Sequence, residues 1–110
     1  METLTYYENC EEFLAGRPSR RLAKNLRVLK RDDEYVVRYY TTDIVTYHAD
    51  RTVTLRHGGW PTASTKWHIN DYSPVSIWQE NRCWYVILDG LHIPFRDGMR
   101  IDPRTERILN

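Results

Sequence analysis

The sequence predicts an α+β fold: one small domain over residues 1–110, with a curled, mainly antiparallel β-sheet, an N-terminal helix and one short central helix. Three observations predict it. Apolar residues recur at helical spacing at the start of the chain. From Asn25 onward, short runs rich in Val, Leu and Tyr alternate with turn residues. And 110 residues leave room for a single modest core.

The elements follow in order. Thr5-Tyr6-Tyr7-Glu8 has capping-box spacing, and Tyr6 or Tyr7, Cys10, Phe13 and Leu14 recur as one helical stripe. The reading is a helix over residues 4–15, with Glu8, Glu11 and Glu12 facing water and Gly16 ending it. Arg17-Pro18-Ser19 breaks the pattern. Strands are expected over residues 25–31 and 34–40, turned at Asp32-Asp33, and over 44–48 and 52–57, turned at Ala49-Asp50-Arg51. Val53 and Leu55 alternate with Thr52, Thr54 and Arg56, so that strand is expected to have one wet face. Gly58-Gly59 ends it. Ser64 or Thr65 is expected to cap a helix to about residue 72, with Trp67 or Ile69 facing the core and Pro74 stopping it. Strands follow over 76–79 and 83–88. Asp89-Gly90 and Asp97-Gly98 are turn dipeptides around a strand at 92–96. The sheet is taken to end near residue 101, and the tail from Asp102 is polar, with Ile108 and Leu109 placed to fold back.

Hydrophobic residues make up 41% and charged residues 28% of the chain, a globular composition and not a disordered one. Four Trp, eight Tyr and two Phe suit a small core, because each ring buries a large area at low entropic cost. The net charge of +1 hides an asymmetry. Between Arg17 and Arg31 lie seven basic residues and no acid; the remaining nine basic and fifteen acidic residues leave a balance of −6. A basic stretch of this kind predicts an anionic partner for one face, or else a solvated strand and loop offset by the acidic remainder. Two isolated cysteines, Cys10 and Cys83, fit a reducing compartment, and the first residues lack the layout of a signal peptide. No apolar run approaches the ~20 residues of a membrane span. A cytoplasmic protein with no membrane partner is therefore expected; its oligomeric state is left open.

The run TTDIVTYHADRTVTLRHGGWPTASTKWHIN, residues 41–70, resembles a signature of small phage and prophage proteins. That signature has a T-D-I/V-V-T-Y core, a hairpin, then G-G-W-x-T-x-T-T-K and an I-N pair. Leu22-Ala23-Lys24-Asn25, Trp84-Tyr85-Val86 and Pro94 to Met99 fit the same pattern, so the resemblance covers about residues 20–101. Arg51 stands where the hairpin usually has Gly, and Ser64 where Thr is more frequent. The resemblance implies a viral or prophage origin and the cytoplasm of a host cell; it brings no activity with it.

Two stretches carry candidate binding residues. In Gly58-Gly59-Trp60-Pro61-Thr62-Ala63-Ser64-Thr65-Lys66, the glycines free backbone N–H groups for an anion, and Thr62, Ser64, Thr65 and a helix N-terminus add donors. Lys66 supplies charge and Trp60 a stacking surface. The spacing is not that of a P-loop, and the plainer reading is a strand-to-helix connection with a core Trp. The second stretch is the basic segment, with Arg20, Arg21, Lys24 and Arg27, where Arg27 and Arg38 are expected to share a face with Tyr35, Tyr39 or Tyr40. Basic groups track phosphates while aromatic rings stack bases.

Other chemistry finds little footing. His48, His57, His68 and His92 lack metal-site spacing and are expected to face solvent from strands. Asp43, Tyr47, His48 and His57 are near enough across adjacent strands for His57 to act as a base oriented by Asp43, but no known catalytic motif is present. Neither a catalytic residue, a metal nor a cofactor is expected. The function predicted is non-enzymatic binding of nucleic acid or a nucleotide; the alternative is a protein-interaction module that inhibits a host factor.

Overall fold

Alternating apolar residues between positions 26 and 55 build the centre of the molecule. The structure, a computed structural model, describes residues 4–110. Helix α1 (Tyr7–Leu14) precedes an antiparallel meander of β1 (Ser19–Ala23), β2 (Leu26–Arg31), β3 (Glu34–Tyr39), β4 (Thr42–Tyr47) and β5 (Val53–Leu55). The chain then leaves this sheet through α2 (Ala63–Tyr72) and a separate antiparallel sheet of β6 (Ser76–Glu80), β7 (Cys83–Leu88) and β8 (Leu91–Pro94). It returns as β9 (Met99–Asp102) beside β5, and β10 (Arg107–Ile108) closes the seven-stranded sheet. The expected α+β class, with two helices and antiparallel strands, is what forms.

One face of the large sheet is the core. The row Val28, Val37, Val45, Leu55 and Met99 runs across five adjacent strands, and Tyr35, Tyr47, Val53 and Ile101 form a second row beside it. Against them pack Cys10 and Leu14 of α1, Ile69 of α2, and Ile77, Trp84, Val86 and Leu88 of the small sheet. Each fully buried Val, Leu or Ile contributes about 1.5–3 kcal/mol, whereas an exposed ion pair adds about 0–1 kcal/mol. The rows therefore hold the fold.

The opposite face follows its own rows. Leu29, Val36, Thr46, Thr54 and Arg100 are register partners across β2, β3, β4, β5 and β9. Thr52 and Thr54, expected on a wet face, are both buried. The reason is tertiary: β9 pairs with β5, His48 Nε2 lies 2.7 Å from Thr54 Oγ1, and Arg100 Nε donates to Thr52 Oγ1.

Several local expectations change. The start of α1 is set by Asn9, whose Oδ1 accepts from the backbone N–H groups of Tyr6 and Thr5, not by a Thr5–Glu8 box. Glu8 faces out and pairs with Arg51, whose guanidinium also lies 4.9 Å from the Tyr7 ring centroid. Arg51 itself holds φ +74°, a conformation that favours glycine. Trp67 points to solvent while Ile69 takes the core position. Strands β1, β9 and β10 lie outside the elements expected, and Ile108 folds back as part of β10.

Candidate functional site

Gly58, three residues beyond β5, holds a backbone conformation and a close approach that favour glycine. Its φ is +64°, and a Cβ there would lie 2.7 Å from Thr42 Cγ2. This close approach folds the 58–62 loop over the β3–β4 turn and leaves a cleft of about 440 Å³. Tyr39, Tyr40 and Trp60 supply aromatic walls; Thr42, Thr62 and Ser64 supply hydroxyls. Thr62 is the α2 cap: its Oγ1 accepts from Thr65 N–H at 3.2 Å. It displaces Ser64 and Thr65 from that role because it is the last extended residue before the helix. Tyr39 Oη donates to Ser64 Oγ at 3.2 Å, and Thr62 Oγ1 lies 3.2 Å from Ser64 Oγ and 2.9 Å from Thr65 Oγ1. A connected row of hydroxyls therefore borders the cleft.

The loop does not form the expected anion cradle. Asp97 Oδ1 accepts from the N–H groups of His57 (2.6 Å) and Gly58 (3.2 Å). Gly59 N–H donates to His57 Nδ1, and Trp60 N–H to the His57 carbonyl. The donors that glycine freed are thus filled from within, Gly58 by a carboxylate about forty residues away in sequence and Gly59 by the His57 ring. Lys66 is not among the residues lining the cleft, and its Nζ donates to Gln79 Oε1 at 2.9 Å. Trp60 is not a core residue: it is 68% exposed at the cleft's rim.

The basic segment divides between the two faces of the sheet. Arg20 turns toward α1, where its Nη1 donates to the Phe13 carbonyl and its guanidinium lies 4.1 Å from the Phe13 ring centroid. Lys24 sits in the β1–β2 turn. Arg21 pairs in register with Arg27, and Arg27 with Arg38, so three guanidinium groups stand in a row on the face away from the core. A bulge continues the row. Ile44 is the extra residue on β4, which brings Asp43 opposite Arg38. Arg38 Nε (2.7 Å) and Arg31 Nη1 (2.6 Å) both donate to the Asp43 carboxylate. Burial alone would raise that carboxyl, but hydrogen bonds from the two guanidinium groups outweigh it and hold it below its ordinary value. Among the described residues, Arg21 and Arg27 have no carboxylate within 4 Å. Arg27 and Arg38 do share a face, as expected; the tyrosines do not join them. Tyr35 is a core residue, Tyr39 lines the cleft, and Tyr40 is exposed at the β3–β4 turn.

His92 is exposed on β8, as expected, but His48 and His57 lie partly buried beyond the ends of β4 and β5, and His68 sits on α2. His48 lies between Glu34 Oε2 (Nδ1, 2.6 Å) and Thr54 Oγ1 (Nε2, 2.7 Å), knitting three strands together. The hydroxyl it touches is buried under it, so this chain of contacts joins β3, β4 and β5 and presents no open nucleophile. His57 stacks on Phe95 and meets Trp84 edge-on, with Asp97 its acidic neighbour. Asp43 is engaged by arginines, so no His57–Asp43 pair exists. His68 packs edge-on to Tyr39; among the described residues its buried Nδ1 has no hydrogen-bond partner, and burial lowers its pKa. Among the described residues, no group of three or more His, Cys, Asp or Glu is placed to hold a metal ion, and no helix is long and apolar enough to cross a membrane. Burial pushes the Cys10 thiol up to about 12, with Glu8 adding to the shift, which makes it an inert core group.

Sequence reasoning misses the Asp97 carboxylate in the loop and the Glu34–His48–Thr54 chain. A local signal exists only for the first, since Asp97-Gly98 is a turn dipeptide whose acid needs donors. Comparison with protein-family models, with curated proteins and with solved structures gave no match.

Proposed function

We propose that this protein is a non-enzymatic nucleic-acid binder whose contact surface is the arginine row on the outer face of β1, β2 and β3. One observation carries the reading: Arg21, Arg27 and Arg38 are successive register partners, with Asp43 at the end of the row. Like charges directly opposite one another on a sheet are destabilising. An anionic polymer laid across the row relieves that repulsion and releases counterions. The basic face suits a polymer better than a lone nucleotide, because the row extends over three strands and the loop's N–H groups already have partners: Asp97 for His57 and Gly58, and His57 for Gly59 and Trp60. In keeping with the resemblance to small phage and prophage proteins, its setting is phage or prophage nucleic-acid metabolism in a host cytoplasm.

Fluorescence anisotropy with labelled single-stranded and duplex DNA tests this. Binding is expected to weaken with salt, log–log, by about 0.7–0.9 per phosphate neutralised, and to be abolished in the double variant Arg21→Glu, Arg27→Glu. Absence of binding to either form at low salt would overturn the reading.

A second reading is a docking module that inhibits a host factor. Its support is the exposure of Trp67 and Trp78, since exposed Trp is a frequent anchor of protein interfaces. A pull-down from host lysate without a stoichiometric partner counts against it.

A further inference from the structure

We propose that the cleft beneath Trp60 receives one unpaired nucleobase, so that the bound polymer is single-stranded. The inference rests on the nucleic-acid reading above and adds the form of polymer taken. Its first ground is the chemistry of the lining. Trp60, Tyr39 and Tyr40 offer π surfaces, and Thr42, Thr62 and Ser64 offer hydroxyls that both donate and accept. Among the described residues, no Lys, Arg, Asp or Glu lines the space. A volume of about 440 Å³ walled by aromatics and a few polar groups is a small-molecule pocket, and an uncharged planar ring with polar edges matches it.

The second ground is what the cleft refuses. Hydroxyls alone hold a charged phosphate poorly without backbone N–H groups or a cation beside them, and here Asp97 occupies the N–H groups of His57 and Gly58 while Lys66 is tied to Gln79. The carboxylate next to the cleft also repels an anion. The base enters; its phosphates stay outside.

The third ground is connectivity. Arg38 and Tyr39 are consecutive on β3, and strand alternation sends one to the arginine row and the other to the cleft. Tyr40 caps this strand end, its N–H donating to the Asn25 carbonyl next to Lys24. A nucleic-acid backbone leaving the row past Lys24 and Tyr40 arrives at the cleft's rim. In a duplex the base edges are paired and stacked, so none reaches the hydroxyls.

The double variant Trp60→Ala, Tyr40→Ala tests the inference, because both side chains are largely exposed (68% and 64%) and their removal should leave the melting temperature unchanged. Anisotropy is measured with a labelled single-stranded oligonucleotide, its duplex and an abasic single strand. The expected result is a drop in single-strand affinity of about five- to hundredfold, with the salt slope and duplex binding as in the wild type. The abasic strand should bind the wild type as weakly as the normal strand binds the variant. In a parallel NMR titration, thymidine or adenosine, which carry no phosphate, should shift the amides of Thr62, Ser64 and Thr65. If the variant binds the single strand with wild-type affinity and the nucleosides shift nothing, the cleft assignment is overturned while the arginine-row reading stands. If nucleosides shift the cleft but no DNA binds at low salt, the polymer reading fails instead, and the single-strand inference falls with it.

Discussion

Arg27 of β2 stands directly opposite Arg38 of β3, and the acid that serves this row, Asp43, meets Arg38 from the far side. Two cations so placed repel in the free protein. That geometry separates what Arg27 does for folding from what it does for binding.

Arg27→Ala should therefore leave stability within about 0.5 kcal/mol of the wild type, as for an ordinary surface substitution. Its effect should fall on nucleic-acid binding, where the salt slope becomes shallower by about 0.7–0.9, the share of a single neutralised phosphate. Urea denaturation and anisotropy at several salt concentrations read the two quantities. An unchanged slope would remove Arg27 from the interface.

Asp43→Asn should move stability and binding in opposite directions. The carboxylate joins Arg31 and Arg38, which are 43% and 39% exposed, so solvent screening limits its stabilisation to about 0.5–1 kcal/mol. Because its folded pKa lies below the ordinary value of 3.8, this stabilisation is present above that value and fades as pH falls through the folded one. The Asn variant should lack that part of the acid dependence. It should bind nucleic acid more tightly, since the acid at the end of the row becomes neutral. Acid titration of the melting temperature, together with anisotropy, checks both.

Gly58 and Gly59 make a matched pair. Both have positive φ, +64° and +87°, but only at Gly58 does an added Cβ collide with Thr42. Gly59→Ala should cost about 1 kcal/mol through backbone strain alone. Gly58→Ala should cost more, about 2–3 kcal/mol, because the loop must also move off the β3–β4 turn. Equal costs in chemical denaturation would show that the Thr42 side chain yields freely.

His68 should make the protein sensitive to mild acid. Burial lowers its pKa below 6.5, with Asp71 opposing. The unfolded chain therefore takes up a proton near 6.5 while the folded one does not, and stability declines as pH drops from that value toward the folded pKa. His68→Asn should flatten this part of the curve. Melting temperatures over the mildly acidic range, from neutrality downward, decide it; an unaltered profile in the variant would rule out the histidine as the source.

Much of the fold was legible because the signals are local. The turns at Asp32-Asp33 and Asp89-Gly90, the short helix near residues 64–72 and the alternation along β2 and β3 all depend on neighbours a few residues apart. Strands β1 and β9 escape such reading because their sequences, SRRLA and MRID, are short and rich in arginine; they become strands by pairing with β2 and β5. The candidate site was legible in part. The cleft does gather Trp60, Thr62, Ser64 and Thr65, but Lys66 and the glycine N–H groups have partners of their own.

By itself the sequence determined the α+β class, the hairpins, the basic stretch and the glycine-bounded loop, all of which follow from residue type and spacing within one segment. Tertiary structure alone decided that Arg21 joins Arg27 and Arg38 on one face, that Thr52 and Thr54 are buried, and that Asp97 takes the N–H groups of His57 and Gly58. The physical reason is register. A strand's alternation fixes two faces, but only its pairing with other strands, one bulged at Ile44, fixes which side chains meet.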